Sequence, residues 1–277
     1  RPAMADARRK PVGVFDSGLG GLTAVRELRR ILPDEDIVYF GDTGRVPYGT
    51  RGRDTIIRYA KQDIAFLLEK GVKYIIAACG TVSSTLPREY SDALPVPYTG
   101  VASSTAQAAV RATRTGRIGV IGTPATVASR SYETAIRVLM PDAEITAVGC
   151  PLFVPLVESG YFDRGNQVTH LVAEDYLKTI RGADVDTLIL GCTHYPLIAP
   201  IIGDVMGPDV ALIDPGRETA KFAKAALERS GLLNDAGGRA EYYVSDDVES
   251  FHRLSEWFLG DYAGSDVHRI SVDEYEV

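Results

Sequence analysis

The sequence predicts an α/β fold of mostly parallel strands, and three observations predict it. Short apolar runs such as residues 12–15, 37–40 and 188–190 are too short for helices and end at Gly, Pro or polar clusters, as strands buried on both faces do. Amphipathic segments of helical period lie between them, giving βαβα order. The same order then starts again in the second half of the chain. With 277 residues, 45% hydrophobic and 24% charged, the chain can bury the core of one large or two modest domains.

The elements follow in order. "PVGVFDSGLGG" gives a strand, then Asp16 and Ser17, then glycines. An amphipathic helix through Leu22, Val25, Leu28 and Leu32 stops at Pro33. "IVYF" at 37–40 is the next strand. A helix starting near Asp54 presents Ile57, Ile64, Leu67 and Leu68 and stops at Gly71, and "YIIAACGTVSS" supplies a strand with Cys79 near its end. Beyond Pro95-Val96-Pro97 come a helix over 102–113, the strand "RIGVIGT", a helix over 125–140, a strand at 144–149, a helix over 167–181 and the strand of "LILGCTHYP". "VALIDPGRETAKFAKAAL" adds a strand, a loop and a helix, and "SDDVESFHRLSEWFL" a closing helix.

The restart is an internal repeat. "VGVFDS" at 12–17 aligns with "IGVIGT" at 118–123, and "YIIAACGT" at 74–81 with "TLILGCTH" at 187–194. The alignment puts Cys79 and Cys192 at equivalent points, each just past a buried strand, and the carboxyl ends of parallel strands are where α/β sheets bind ligands. Either cysteine alone reads as a small core hydrophobe; the pair asks for a chemical reason. Cys150 has no polar company and reads as structural. His170, His252 and His268 read as surface or interface residues. Asp16 and Ser17 can equally cap the helix that follows them.

Composition excludes several functions. A net charge of −7 with no long basic run gives no footprint for nucleic acid. No apolar stretch nears the ~20 residues of a membrane span, and "RPAMADARRK" has no hydrophobic segment behind its basic residues. Three widely spaced cysteines point to free thiols in a reducing compartment, so a cytoplasmic location is expected. "SGLGG" meets neither the P-loop nor the dinucleotide pattern, though its amides could approach a carboxylate.

Several motifs in one order, "VFDSGLGGLTAVRELRRILPDEDIVYFGDTGRVPYG", "ACGTVSS", "FVPLVESG" and "LGCTHYPL", resemble glutamate racemase, of the aspartate/glutamate racemase superfamily, from Pro11 to past Asp214. The resemblance implies two pseudosymmetric α/β domains with mostly parallel sheets and the active site in the cleft between them. It implies no cofactor, L- and D-glutamate as ligands, supply of D-glutamate for peptidoglycan, and a homodimer. The expected division is a disordered start at 1–10, a first domain of 11–99 with 210–277, and a second of 100–209. Carried over by motif, Cys79 and Cys192 are the two catalytic bases. Asp16 supports the first, and His194 with Glu158 supports the second. Ser17, Tyr48, Gly49, Gly80, Thr81, Thr123 and Thr193 line the substrate.

The chemistry of the residues agrees. Inverting an α-carbon needs a proton removed from one face and another delivered to the opposite face, so two acid/base groups in opposite protonation states are required. A thiol is mostly protonated at neutral pH and burial holds it there, so each benefits from a neighbouring proton acceptor. One departure stands out. Relatives usually read Ala-Cys-Asn-Thr where this chain has Ala78-Cys79-Gly80-Thr81, so an amide expected at the substrate is missing and weakened turnover is expected. Two rival readings are an aspartate or other acidic amino-acid racemase and a binding protein of the same fold without turnover. Asp16, Cys79, Cys192 and His194 also have the ligand types of a tetrahedral zinc site, but no local C-x-x-C or H-x-x-x-H pair accompanies them, and no metal is expected.

Overall fold

A computed structural model describes residues 7–262 and 266–277. The chain divides into two compact units, one formed by the described residues up to Val101 together with those from Thr219 onward, the other by Ala102–Glu218.

The first unit carries a six-stranded sheet of β1 (Val12–Asp16), β2 (Ile37–Gly41), β3 (Tyr74–Ala77), β4 (Tyr98–Gly100), β9 (Ala240–Val244) and β10 (Val267–Arg269), ordered β10-β9-β2-β1-β3-β4. The second carries β5 (Arg117–Gly122), β6 (Glu144–Gly149), β7 (Thr187–Leu190) and β8 (Ala211–Ile213), ordered β6-β5-β7-β8. Every registered strand pair is parallel. The order β2-β1-β3-β4 reappears as β6-β5-β7-β8, so the repeat in the sequence is a repeat of topology. It equates β1 with β5 and β3 with β7, as the alignment of the two halves requires.

Helices α1 (Leu22–Ile31), α2 (Arg53–Glu69), α3 (Gly80–Thr85) and α4 (Arg88–Asp92) belong to the first unit, and α5 (Val101–Ala112) opens at its boundary. The second unit continues with α6 (Pro124–Ser129), α7 (Ser131–Leu139), α8 (Phe153–Glu158), α9 (Gln167–Gly182) and α10 (Ala199–Met206). After it come α11 (Pro215–Arg229) and α12 (Val248–Leu259). One core forms where α2 lays Ala60, Ile64 and Leu67 over Phe15, Phe40 and Ile75. The other gathers Ala102, Ala106 and Ala109 of α5 and Ile136 of α7 against Ile118, Val120 and Ile189. Each large buried apolar side chain contributes ~1.5 to 3 kcal/mol of transfer free energy, which fixes the strands and with them the residues at their ends.

The structure departs from expectation in four places. The single helix expected over 125–140 is two, divided at Arg130, whose φ of 57° is left-handed. There Ser129 Oγ donates to the Thr126 carbonyl while the Ser131 amide donates to Ser129 Oγ, a local alternative to the helical ladder. The return to the first unit comes at Thr219 rather than 210, because β8 pairs with β7 and belongs to the second sheet. The expected disordered start is ordered from Ala7 onward, where Arg8 donates to the Leu233 carbonyl and Asp235, and the rest of that stretch lies outside the described residues. Strands β4, β9 and β10 and helices α3, α4, α8 and α10 were not foreseen.

Candidate active site

Each unit carries candidate residues at its own strand ends. In the first, β1 terminates in Asp16, which is buried; its carboxylate accepts the amides of Ser17 at 2.8 Å and Gly21 at 2.6 Å. A β-carbon at Gly21 would lie 2.8 Å from the Asp16 β-carbon, so only glycine lets the chain close on this carboxylate before α1 begins. Gly21 rather than Asp16 or Ser17 is the N-cap of α1, and the two amides hold the Asp16 side chain in place in the turn before it. Cys79 follows β3 by two residues and sits at the N-cap of α3, 6% exposed, its thiol donating to Ser17 Oγ at 3.5 Å. Burial and the nearby Asp16 charge push this thiol up to about 11, partly opposed by hydrogen bonds from the Val82 amide, Ser17 and the Thr81 amide.

Tyr48 and Gly49 lie in a 3-10 turn, Tyr48–Thr50, that packs against α3 directly after Cys79. Gly49 is exposed, but Tyr48 is buried and turns its hydroxyl inward to Asp42 and Asp63. The turn therefore offers main-chain groups here, and a substrate role for the Tyr48 side chain is not what the geometry provides. Gly80 is the first residue of α3 and has nothing within 4 Å of a built β-carbon; Thr81 follows it, half-buried.

In the second unit, β7 runs into Cys192, Thr193 and His194, and a 3-10 turn at Tyr195–Ile198 begins immediately. His194 Nδ1 lies 3.8 Å from Cys192 Sγ and 3.5 Å from Thr193 Oγ1, while Nε2 lies 2.9 Å from Glu158 Oε1. Glu158 is the last residue of α8, which ends where Gly160 takes a φ of 83°. Phe153 of α8 meets Tyr195 edge-on at 5.3 Å, so aromatic packing aligns the carboxylate with the imidazole. Burial alone would lower the His194 pKa, but the bonds to Cys192 and Glu158 outweigh it and raise it to about 9. The imidazolium then donates from both nitrogens, one toward the thiol and one toward the carboxylate. Thr123, at the end of β5 where Ser17 stands after β1, caps α6 by accepting the Thr126 amide at 3.2 Å.

Each sheet thus presents, at equivalent strand ends, a cysteine with its own acid/base neighbours and hydroxyl groups beside it. The Asp/Glu/Hydantoin racemase family model matches residues 22–223, which include both cysteines and His194. The chain belongs to that family.

Among its racemase relatives, the glutamate racemase of Geobacter metallireducens is 43% identical over 266 residues, covering 95% of this chain and 97% of that protein. The crystal structure of glutamate racemase from Francisella tularensis in complex with D-glutamate is 37% identical, with a TM-score of 0.86 over 97% of this chain and 100% of its own. That of Thermus thermophilus glutamate racemase in complex with β-chloro-D-alanine is 44% identical, with a TM-score of 0.85 over 97% and 99%. These likenesses agree with two α/β domains of parallel sheet.

Cys150 stands apart from this chemistry. It is fully buried, its thiol donates to the Val148 carbonyl at 3.7 Å, and burial followed by the nearness of Cys192 raises it to about 12. Sequence reasoning did not single out Asp42, Arg45 and Asp63, the buried charges behind Tyr48. Asp63 left a signal: it falls with Ala60, Ile64 and Leu67 at helical spacing on the apolar face of α2, where an unpaired carboxylate would be costly. Among the described residues no group of three or more His, Cys, Asp or Glu side chains is placed to hold a metal ion, and no helix is long and apolar enough to cross a membrane.

Proposed function

We propose that this racemase-family chain interconverts L- and D-glutamate without a cofactor, using Cys79 and Cys192 as paired proton carriers. The observation that carries this reading is the Cys192–His194–Glu158 chain of contacts at one strand end, matched by Cys79 with Ser17 and Asp16 at the equivalent end of the other sheet. The D-glutamate bound by the Francisella relative supports the choice of substrate.

The proton balance is simple. With L-glutamate, the Cys192 thiolate takes the α-proton and becomes a thiol while the Cys79 thiol delivers its proton to the opposite face, giving D-glutamate and a Cys79 thiolate. With D-glutamate the roles reverse. His194, held by Glu158, exchanges a proton with Cys192, and Asp16 stands as the acceptor for Cys79. Negative charge gathering on the substrate's α-carboxylate is stabilised by main-chain amides and by the hydroxyls of Ser17, Thr81, Thr123 and Thr193. The turn carrying Tyr48 and Gly49 adds main-chain donors. Gly80, in place of the asparagine usual in relatives, removes one substrate contact and slows the reaction. D-Glutamate supply for peptidoglycan, a cytoplasmic location and a homodimer complete the reading.

Circular dichroism and proton NMR of L-glutamate in heavy water test it. Loss of optical activity with deuterium at the α-carbon, with no added pyridoxal phosphate, metal or nucleotide, is the result expected; a strict requirement for any of these overturns it.

A further inference from the structure

We propose that Asp42, Arg45 and Asp63 form a positioning cluster that holds the Tyr48–Thr50 turn beside Cys79 through two hydrogen bonds that meet at the Tyr48 hydroxyl. The inference rests on the reading that glutamate binds against this turn.

The cluster is buried and its parts come from separate elements. Asp42 follows β2, Asp63 lies on α2, and both carboxylates are 0% exposed. Arg45 joins them, donating from Nε to Asp42 at 2.7 Å and from Nη2 to Asp63 at 3.1 Å. Its guanidinium lies 3.9 Å from the centre of the Tyr59 ring and is braced by Gln62 and, at 3.3 Å, by Asp273 of the C-terminal segment. Ser245 Oγ donates to Asp42 at 2.7 Å. The Asp42 amide donates to the Asp16 carbonyl at 2.9 Å, tying the cluster to the strand end that supports Cys79.

Tyr48 closes the arrangement. Its hydroxyl meets one oxygen of Asp42 and, at 2.6 Å, one of Asp63. A phenol has a single proton to donate, so one of the two contacts needs a proton from the acid side. The geometry points to Asp63 as that acid, since burial first and then the Asp42 charge push its carboxyl well above the usual carboxylate range, toward the neutral form. The order is Asp63 donating to Tyr48 and Tyr48 donating to Asp42, with Arg45 facing both acids. Every polar atom at the back of the turn is thereby committed, and the turn presents main-chain groups to the site in one position.

Steady-state racemisation by the full chain is compared for wild type, Tyr48→Phe, Asp42→Asn and Asp63→Asn. In a Cys192→Ser background, the rate at which iodoacetamide labels Cys79 is followed without substrate. Tyr48→Phe and Asp42→Asn are expected to raise KM for both enantiomers by about tenfold with kcat within about threefold, and to speed Cys79 labelling several-fold. Asp63→Asn, whose amide still donates to Tyr48, shows clearly smaller changes. Equal losses in the two Asn variants, or an unchanged KM and labelling rate in Tyr48→Phe, overturn the inference. Tyr48→Phe keeps its ring in the core and decides the matter if Asp42→Asn does not fold. If wild type leaves glutamate unchanged, the substrate reading fails, and the labelling arm still decides the role of the cluster.

Discussion

His194 Nε2 lies 2.9 Å from Glu158 Oε1, across 36 positions of sequence, while the other nitrogen of the same ring faces the Cys192 thiol. A residue of one short helix thereby joins Cys192 in holding the His194 imidazole in its charged form.

That contact gives a pH-dependent prediction. His194 is raised to about 9 from an ordinary value of 6.5, so the stability its charged form adds is fully present below about pH 6.5 and is lost as pH climbs through 9. Glu158→Gln weakens it. The Tm difference between wild type and Glu158→Gln is therefore expected to be widest below pH 6.5 and to close by about pH 9, and the pH–rate profile for L-glutamate should shift to lower pH. A Tm difference constant across this range would show that Glu158 does not act through the imidazole charge.

Asp16 and Cys79 give two readouts that move apart. Removing the Asp16 charge should bring the Cys79 thiol down from about 11, so Asp16→Asn is expected to shift the midpoint of Cys79 alkylation to lower pH. The same change removes the proposed proton acceptor, and turnover of D-glutamate should fall by about tenfold or more. If alkylation and turnover rise together, Asp16 serves only to brake the thiol.

The three cysteines are expected to separate cleanly. Cys79→Ser and Cys192→Ser each abolish full turnover, with Cys79→Ser hurting the D-glutamate direction more and Cys192→Ser the L-glutamate direction. Cys150→Ser keeps activity, since a hydroxyl can still donate to the Val148 carbonyl, and costs about 1 kcal/mol or so of stability in denaturant unfolding. Similar mild losses in all three variants would leave the two-thiol scheme without support.

Gly80→Asn tests the departure from the relatives' pattern. The backbone there is helical and open space surrounds the position of a β-carbon, so the side chain enters without strain. A regained hydrogen bond to a charged substrate group is worth ~1 to 3 kcal/mol, and kcat/KM should rise about tenfold or more while Tm changes little. An asparagine variant no faster than wild type would mean that the pocket is built around the glycine.

Much of this was legible in the sequence, and the gaps have physical causes. Strands β1, β2, β3, β5 and β7 were readable because burial on both faces makes them continuous apolar runs, and the repeat of strand order followed from aligning the residues around Cys79 and Cys192. Helix α8 was not readable as a helix: it has six residues and contains Pro155, so nothing periodic marks it, although Glu158 was identified through its motif. Arg130 divides an otherwise continuous helical pattern where the Ser129 hydroxyl takes up the Thr126 carbonyl and the Ser131 amide on either side of it, a competition that periodicity does not register. The inward turn of Tyr48 was hidden for a different reason. Its partners Asp42 and Asp63 are 21 residues apart and meet only in the folded sheet and helix.

The central claim is that two thiols, and no cofactor, carry the α-proton. The most direct measurement is the fate of L- and D-glutamate in heavy water with wild type, Cys79→Ser and Cys192→Ser, following optical activity and α-proton exchange together. The account predicts that wild type racemises both enantiomers with deuterium incorporated into the product enantiomer, and that each serine variant loses racemisation. Racemisation surviving in either variant, or product formed with the original α-proton retained throughout, would contradict it.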